Sequence, residues 1–284
     1  MIIFKGNETV AYRDPACYYF EGRYHLFFTL SIKKEGYIYN HVATSQSCNL
    51  FDWTPPKIIT ETDKLKNYCS PGNVIKHNDE YLICITSYPM PVPFLECSYA
   101  DNTARLYMIR TKDFKSFSAP EKIYAKGKKC RFENEGRMID PFLFEKDGEF
   151  LLFFKQNGIS LSVSTDLENW EFRGSIPGGE NTCILKKEEN FLLIHSPNNG
   201  IGLKESTDLK TWEDKGVHTL EQQNWDWASG RLTAGFAMES NGETKYKYVL
   251  FFHGSKQESF PETHGDATLA CVFTDDFKTF SFDP

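Results

Sequence analysis

Three acidic residues and a serine occupy corresponding places in a repeating pattern, each ten or eleven residues ahead of an aromatic that opens an apolar run. They are Asp14 in Arg13-Asp14-Pro15, Ser70 in Cys69-Ser70-Pro71, Asp140 in Ile139-Asp140-Pro141 and Glu180 in Gly179-Glu180-Asn181. A lone Asp-Pro is ordinarily a turn or the start of a strand. Two of them and a glutamate at one repeat position are much harder to obtain from turns alone. Brought into one pocket, the carboxylates would repel one another and lose hydration. That spreads their pKa values and leaves at least one protonated acid and one ionised base near neutral pH. Hydrolysis of a glycosidic bond needs such a pair. Asp14, Asp140 and Glu180 are therefore the expected catalytic residues.

Further side chains are expected to contact substrate. Ser70 reads as a hydrogen-bonding pocket residue, because no His or Asp stands at a spacing that would make it a nucleophile. Arg13 adjoins Asp14 and favours its ionised form by proximity. Trp225 and Trp227 lie in the irregular stretch Gln222-Gln-Asn-Trp-Asp-Trp-Ala228, where rings either stack on sugar faces or cap the fold. Arg231 follows, with a guanidinium suited to sugar hydroxyls or to fixing a catalytic carboxylate. His253 ends an apolar run, where a core or rim position is the default and a pocket role the alternative.

The elements that must position these residues repeat five times. Each unit has an aromatic-led apolar run after a polar turn, anchored at Tyr24, Tyr81, Phe150, Phe191 and Tyr248, which are 57, 69, 41 and 57 residues apart. Each run is followed by a Ser/Thr-rich turn ending in an aromatic: Ser45–Trp53 in a looser form, Thr111–Phe117, Ser164–Trp170, Ser206–Trp212 and Thr274–Phe280. Asp166 and Asp208 recur in these turns regardless of any site and read as turn residues. Lys146-Asp147-Gly148 between two apolar runs is a tight-hairpin signal. No window carries apolar residues at helical spacing. Five units of about four strands each predict an all-β, single-domain five-bladed β-propeller over residues 1–284. A β-sandwich of similar hairpins is the alternative, against which five copies of two ordered signatures weigh. The last copy ends at Phe280 without an outer strand, and Met1-Ile-Ile-Phe4 is left over. Pairing these two would close the ring and remove two sheet edges. In such a ring the inner strands run side by side, so equivalent positions converge at the channel mouth.

The net charge of −7 argues against a nucleic-acid or anionic-membrane partner, each of which needs a cationic face. A small-molecule or oligosaccharide substrate fits. No apolar stretch has the length of a membrane span and the N-terminus lacks a signal-peptide pattern, so a cytoplasmic location is expected, a secreted form with its signal removed being the alternative. The eight cysteines, at 17, 48, 69, 84, 97, 130, 183 and 271, stand singly without zinc-ligand spacing, as in a reducing compartment.

On these motifs the whole chain resembles the five-bladed propeller glycosidases. These are the family 43 glycoside hydrolases (β-xylosidases, α-arabinofuranosidases, arabinanases) and the related invertase and levanase families. The family 43 pattern implies Asp14 as general base, Asp140 as the residue that tunes and orients, and Glu180 as general acid, with inversion at a pentose-type substrate of plant origin. The invertase pattern, which Tyr24-His-Leu-Phe-Phe28 also resembles, implies instead that Asp14 is a covalent nucleophile. The Ala16-Cys17 pair after Pro15 departs from the Asn-Asp-Pro-Asn run typical of invertases, so inversion is the expectation and a retaining fructosidase-like hydrolase the alternative. A catalytically silent carbohydrate-binding propeller is the alternative outside enzymes. No cofactor is expected. Family 43 members often hold a central calcium with a fifth-blade histidine, and Leu232-Thr-Ala-Gly-Phe236 has none, so no metal ligand is expected either.

Overall fold

The computed structural model describes residues 1–63, 66–88, 92–93, 103–197, 199–256 and 266–284; Cys97 lies outside them. Alternation of apolar and polar residues between short turns gives antiparallel sheets arranged as a five-bladed β-propeller. A short strand β1 (Ile2–Phe4) precedes blade one, which comprises β2 (Val10–Phe20), β3 (Arg23–Lys34), β4 (Tyr37–Ser47) and β5 (Lys57–Ile58). Blade two holds β6 (Asn67–Cys69), β7 (Val74–His77) and β8 (Glu80–Tyr88). After β9 (Val92–Pro93), which adds to the edge of blade one against β4, it continues with β10 (Arg105–Thr111) and β11 (Glu121–Lys122). Blade three is β12 (Ile139–Lys146), β13 (Glu149–Lys155), β14 (Ile159–Ser164) and β15 (Glu171–Ile176). Blade four is β16 (Glu180–Lys186), β17 (Phe191–Ser196), β18 (Ile201–Ser206) and β19 (Glu213–His218). Blade five is β20 (Arg231–Glu239), β21 (Tyr248–Ser255) and β22 (Thr268–Thr274). Among the described residues, helix is confined to α1 (Phe132–Glu135) and a 3-10 turn at Gln222–Asn224.

The ring closes through the N-terminus. Strand β1 pairs antiparallel with β22, so the fourth strand of blade five comes from the opposite end of the chain. The Met1 ammonium also donates to the Cys271 carbonyl.

The aromatic turns owe their shape to one hydrogen-bond pattern. In the fourth blade Ser206 Oγ donates to Asp208, whose Oδ1 accepts the Lys210 and Thr211 amides. This places Leu209 at φ +62° and fully buried. The other blades repeat this with Leu50, Phe114, Leu167 and Phe277 at φ between +55° and +67°. The first copy, looser in sequence, follows the same geometry: Asn49 takes the place of Asp and accepts the Phe51 and Asp52 amides. The five anchor aromatics are buried on the second strands, with the largest core cluster spanning blades one, three, four and five.

A second pattern ties each blade to the next at the channel. Thr29, Thr86, Lys155, Ser196 and His253 stand on second strands opposite Arg13, Cys69, Ile139, Glu180 and Thr233. Thr29 accepts the Ser70 amide at 2.7 Å, Thr86 the Asp140 amide at 3.0 Å, and His253 Nδ1 the Asp14 amide at 3.2 Å. Lys155 Nζ donates to the Gly178 carbonyl at 3.1 Å and Ser196 Oγ to that of Ala234 at 2.7 Å. Each innermost strand is thereby pinned by the blade before it.

Candidate active site

The inner strands are bulged where the candidate residues stand. Pairing skips from Arg13 to Ala16, from Ile139 to Phe142 and from Glu180 to Cys183. Asp14, Ser70, Asp140 and Asn181 occupy the left-handed region at φ 50°, 47°, 51° and 51°. Such backbone is costly for residues other than glycine and is held only where surroundings over-determine it; the inter-blade hydrogen bonds do so here. In blade five the bulge falls at Gly235, between Ala234 and Phe236.

One sequence alignment shifts by a residue. Asn181, not Glu180, is the blade-four counterpart of Asp14, Ser70 and Asp140, and Glu180 corresponds to Arg13, Cys69 and Ile139. Gly179 permits this approach: its amide donates to His195 Nδ1 at 3.0 Å, and a Cβ there would lie 1.7 Å from the Ser196 carbonyl oxygen.

Asp14 is buried. Its Oδ2 accepts the Thr29 hydroxyl at 2.8 Å and the Ser70 hydroxyl at 3.2 Å, whereas Oδ1 lies 3.5 Å from Asn181 Nδ2. Burial alone would raise its pKa. The Arg13 guanidinium, then His253 and the hydroxyls of Thr29 and Ser70, outweigh burial and hold Asp14 below the usual carboxylate value. Asp140 is the opposite case. Burial first, then the charges of Glu180 and Asp14, push it up to about 7, with Ser70 and Arg137 opposing. Two buried aspartates at matching positions thus differ in ionisation because only one receives a full set of donors. Glu180 is the most open of the three and pairs with Arg231 at 2.8 Å. It lines a cleft of about 660 Å³ over blade four, with His195 and Lys204 of that blade, Lys155 of blade three and Arg231 of blade five.

The remaining expected contacts divide. Ser70 and Arg231 stand among the carboxylates. Arg13 lies beneath them, buried, with its guanidinium directed to Ser31 Oγ at 3.3 Å and Asn40 Oδ1 at 3.4 Å. His253 is also buried below, a neutral acceptor for the Asp14 amide, its pKa lowered by burial to about 3. Trp225 and Trp227 stack on each other at 5.2 Å and lie against Phe252, with Trp225 also edge-on to Phe282. Those contacts make a hydrophobic cap.

Arg137 was not singled out by the sequence. It stands three residues before Asp140, close enough to lower that acid's pKa, and donates to the Tyr88 hydroxyl at 3.1 Å. Its position outside the repeat gives no sequence signal. Leu232–Phe236 contains no histidine, and the blade-five His253 accepts the Asp14 amide at Nδ1. Among the described residues no group of three or more His, Cys, Asp or Glu is arranged around a cation. Asp166 and Asp208, by contrast, accept backbone amides in the turns, as their motif implies.

A five-bladed propeller with three carboxylates converging at one channel mouth defines the class: a glycoside hydrolase. The chain belongs to the glycosyl hydrolases family 32, whose N-terminal domain model matches residues 12–188. Solved structures share the fold at low identity. A structure of RS223-β-xylosidase superposes with a TM-score of 0.67 at 11% identity, covering 96% of this chain and 95% of that one. An exo-1,5-α-L-arabinanase from a bovine ruminal metagenomic library gives 0.65 at 14%, covering 95% and 96%. A thermostable family-43 glycoside hydrolase gives 0.63 at 15%, covering 99% and 96%. No curated protein matches the sequence.

Proposed function

We propose that the protein hydrolyses a glycoside with retention of configuration, in the manner of a fructosidase, with Asp14 as nucleophile and Glu180 as acid and base. The observation that carries this is the state of Asp14. A general base works best with a pKa near the working pH, whereas Asp14 is held ionised and well below it by Arg13, Thr29 and Ser70. A carboxylate of that kind is a poor proton acceptor and a good nucleophile and leaving group. Both hydroxyls engage Oδ2, and Oδ1, which has the longer Asn181 contact at 3.5 Å, is the oxygen we assign to attack.

Oδ1 forms a bond to the anomeric carbon as the glycosidic C–O bond breaks, and the leaving oxygen takes its proton from Glu180. Glu180 faces the cleft that would hold the leaving group. It then removes a proton from water, whose oxygen displaces Asp14 from the same carbon. Asp140, held up at about 7 and so partly protonated near neutral pH, supplies a hydrogen-bond donor for a sugar hydroxyl. Arg137 and Arg231 flank the acids and would hold further hydroxyls.

The family 32 match supports the fructosidase reading. A second reading, an inverting hydrolase of xylosides or arabinosides, is favoured by the names of the xylosidase and arabinanase that share the fold and by Ala16-Cys17 after Pro15. Mass spectrometry of acid-quenched turnover separates the two. A sugar adduct on the peptide containing Asp14 is expected. Steady turnover with no adduct under rapid quench, and inverted product, would give the reaction to the second reading.

A further inference from the structure

We infer that the connection between blades two and three carries a second carbohydrate site, separate from the channel, for a chain of acidic sugars. The protein is acidic overall, with a net charge of −7, yet Lys126-Gly-Lys-Lys-Cys-Arg131 concentrates four cations in six residues. Lys128, Lys129 and Arg131 are exposed. Lys128 pairs with Glu168 at 3.3 Å, whereas Lys126, Lys129 and Arg131 have no carboxylate within ion-pair distance among the described residues. A like-charged cluster that is not neutralised is disfavoured in isolation and suits an anionic ligand.

Aromatic rings stand among these cations. Phe132, Tyr124 and Phe172 are 54%, 38% and 39% exposed, and these are three of the nine large hydrophobics so exposed on the described surface. Each carries a cation over its ring: Arg105 over Phe132 at 4.1 Å, Lys122 over Tyr124 at 4.7 Å and Lys126 over Phe172 at 5.2 Å. Glu135, buried and paired with Arg105 and Lys122, anchors two of these cations in place. A sugar ring offers an apolar C–H face to an aromatic and, where it bears a carboxylate, a charge to the ammonium beside it. Arg105 and Lys122 are taken up by Glu135, so the cations left for a carboxylate are Lys126 beside Phe172, Lys129 and Arg131. Exposed rings next to these cations fit a uronate chain better than a neutral one.

The patch leads to the channel. Gln156, just past the end of β13 that borders the cleft, donates to the carbonyls of Glu135 and Arg137. From Arg137 the chain passes directly into Ile139 and Asp140. Tyr124 follows β11 and Phe172 stands on β15, the outer strands of blades two and three. A chain held there lies toward the outside of the ring, joined to Asp140 by the connection that carries Phe132 and Arg137. The exposed rings beside the cations favour a glycan over other polyanions.

Affinity electrophoresis at low salt tests this without turnover, so its result is independent of which bond the channel cleaves. Polygalacturonate in the gel should retard the protein and dextran should not. The variant Lys126→Gln/Lys129→Gln/Arg131→Gln, changed only at polar surface positions, should bind polygalacturonate about tenfold or more weakly, as expected for three exposed charge contacts. Phe132→Ala should also weaken it, with an unchanged melting temperature showing that the fold is intact. If Phe132→Ala does not fold, Tyr124→Ser replaces it. No retardation by polygalacturonate would overturn the inference, as would retardation that survives both classes of variant. A thirty-nucleotide oligo-dT that binds more tightly than polygalacturonate would assign the patch to nucleic acid and overturn it equally.

Discussion

Asp14 and Asp140 show how two identical side chains at equivalent bulges come to differ. Asp14 has Arg13 beside it and two hydroxyls on one oxygen, while Asp140 faces Glu180 and Asp14 with less compensation. A consequence follows for stability. Folded Asp140 keeps its proton up to about 7, whereas the unfolded chain releases it near 3.8. Its contribution is therefore fully present below the unfolded value and is lost as pH rises through about 7. Asp140→Asn should raise the melting temperature at pH 8, by a stability increment on the order of a few kcal/mol, and change little at pH 4. Equal destabilisation at both pH values would contradict the assignment. Asp14 has the opposite sign: its contribution is present above the unfolded pKa and fades as pH falls. Glu180→Gln tests the acid role, with an expected rate loss of roughly 10²–10⁴-fold on poor leaving groups. In kcat/KM, which reports the first step, dinitrophenyl glycosides need little protonation and should suffer much less. Their kcat still falls, because Glu180 must activate the water of the second step; an equal loss of kcat/KM on both would count against Glu180.

At the scale of elements, the aromatic turns were legible because they are local. A Ser/Thr, an Asp or Asn two residues on, a Leu or Phe and then an aromatic fix one hydrogen-bonded turn, and five of these in order imply five blades. The first copy looked irregular only because Asn49 stands for Asp; an amide oxygen accepts the same two backbone bonds. The one-residue offset of Glu180 was not legible. Where a bulge falls depends on pairing with β17 and on His195 holding Gly179, neither of which leaves a mark in the local sequence. Arg137 and Lys155 were missed for a related reason: they act across blades. Closure was legible as a missing outer strand at one end and a spare one at the other. Strand β1 completes blade five, so removal of Met1–Phe4 should destabilise the whole ring. A melting-temperature fall of roughly 5 °C or more in a single cooperative transition is expected. Unchanged melting with only local fraying by hydrogen exchange would show that β1 is dispensable.

For the whole molecule, the ring does two things that no blade does alone. It brings residues more than a hundred positions apart to one channel mouth, and it buries Asp14 among groups from blades one, two, four and five. The fold is shared with a xylosidase, an arabinanase and a family-43 glycoside hydrolase at 11% to 15% identity, so architecture alone does not select among mechanisms. Selection rests on what surrounds Asp14. Retention requires the carboxyls of Asp14 and Glu180 to work at about 5–5.5 Å, whereas inversion needs about 6.5–9.5 Å to admit a water. The most direct measurement is NMR of the sugar first released during turnover, using the best substrate from a panel of sucrose, levan oligosaccharides and aryl arabinofuranosides and xylosides. First-formed product with the substrate's own anomeric configuration is predicted; product of the opposite configuration, mutarotating afterwards, would contradict Asp14 as the nucleophile.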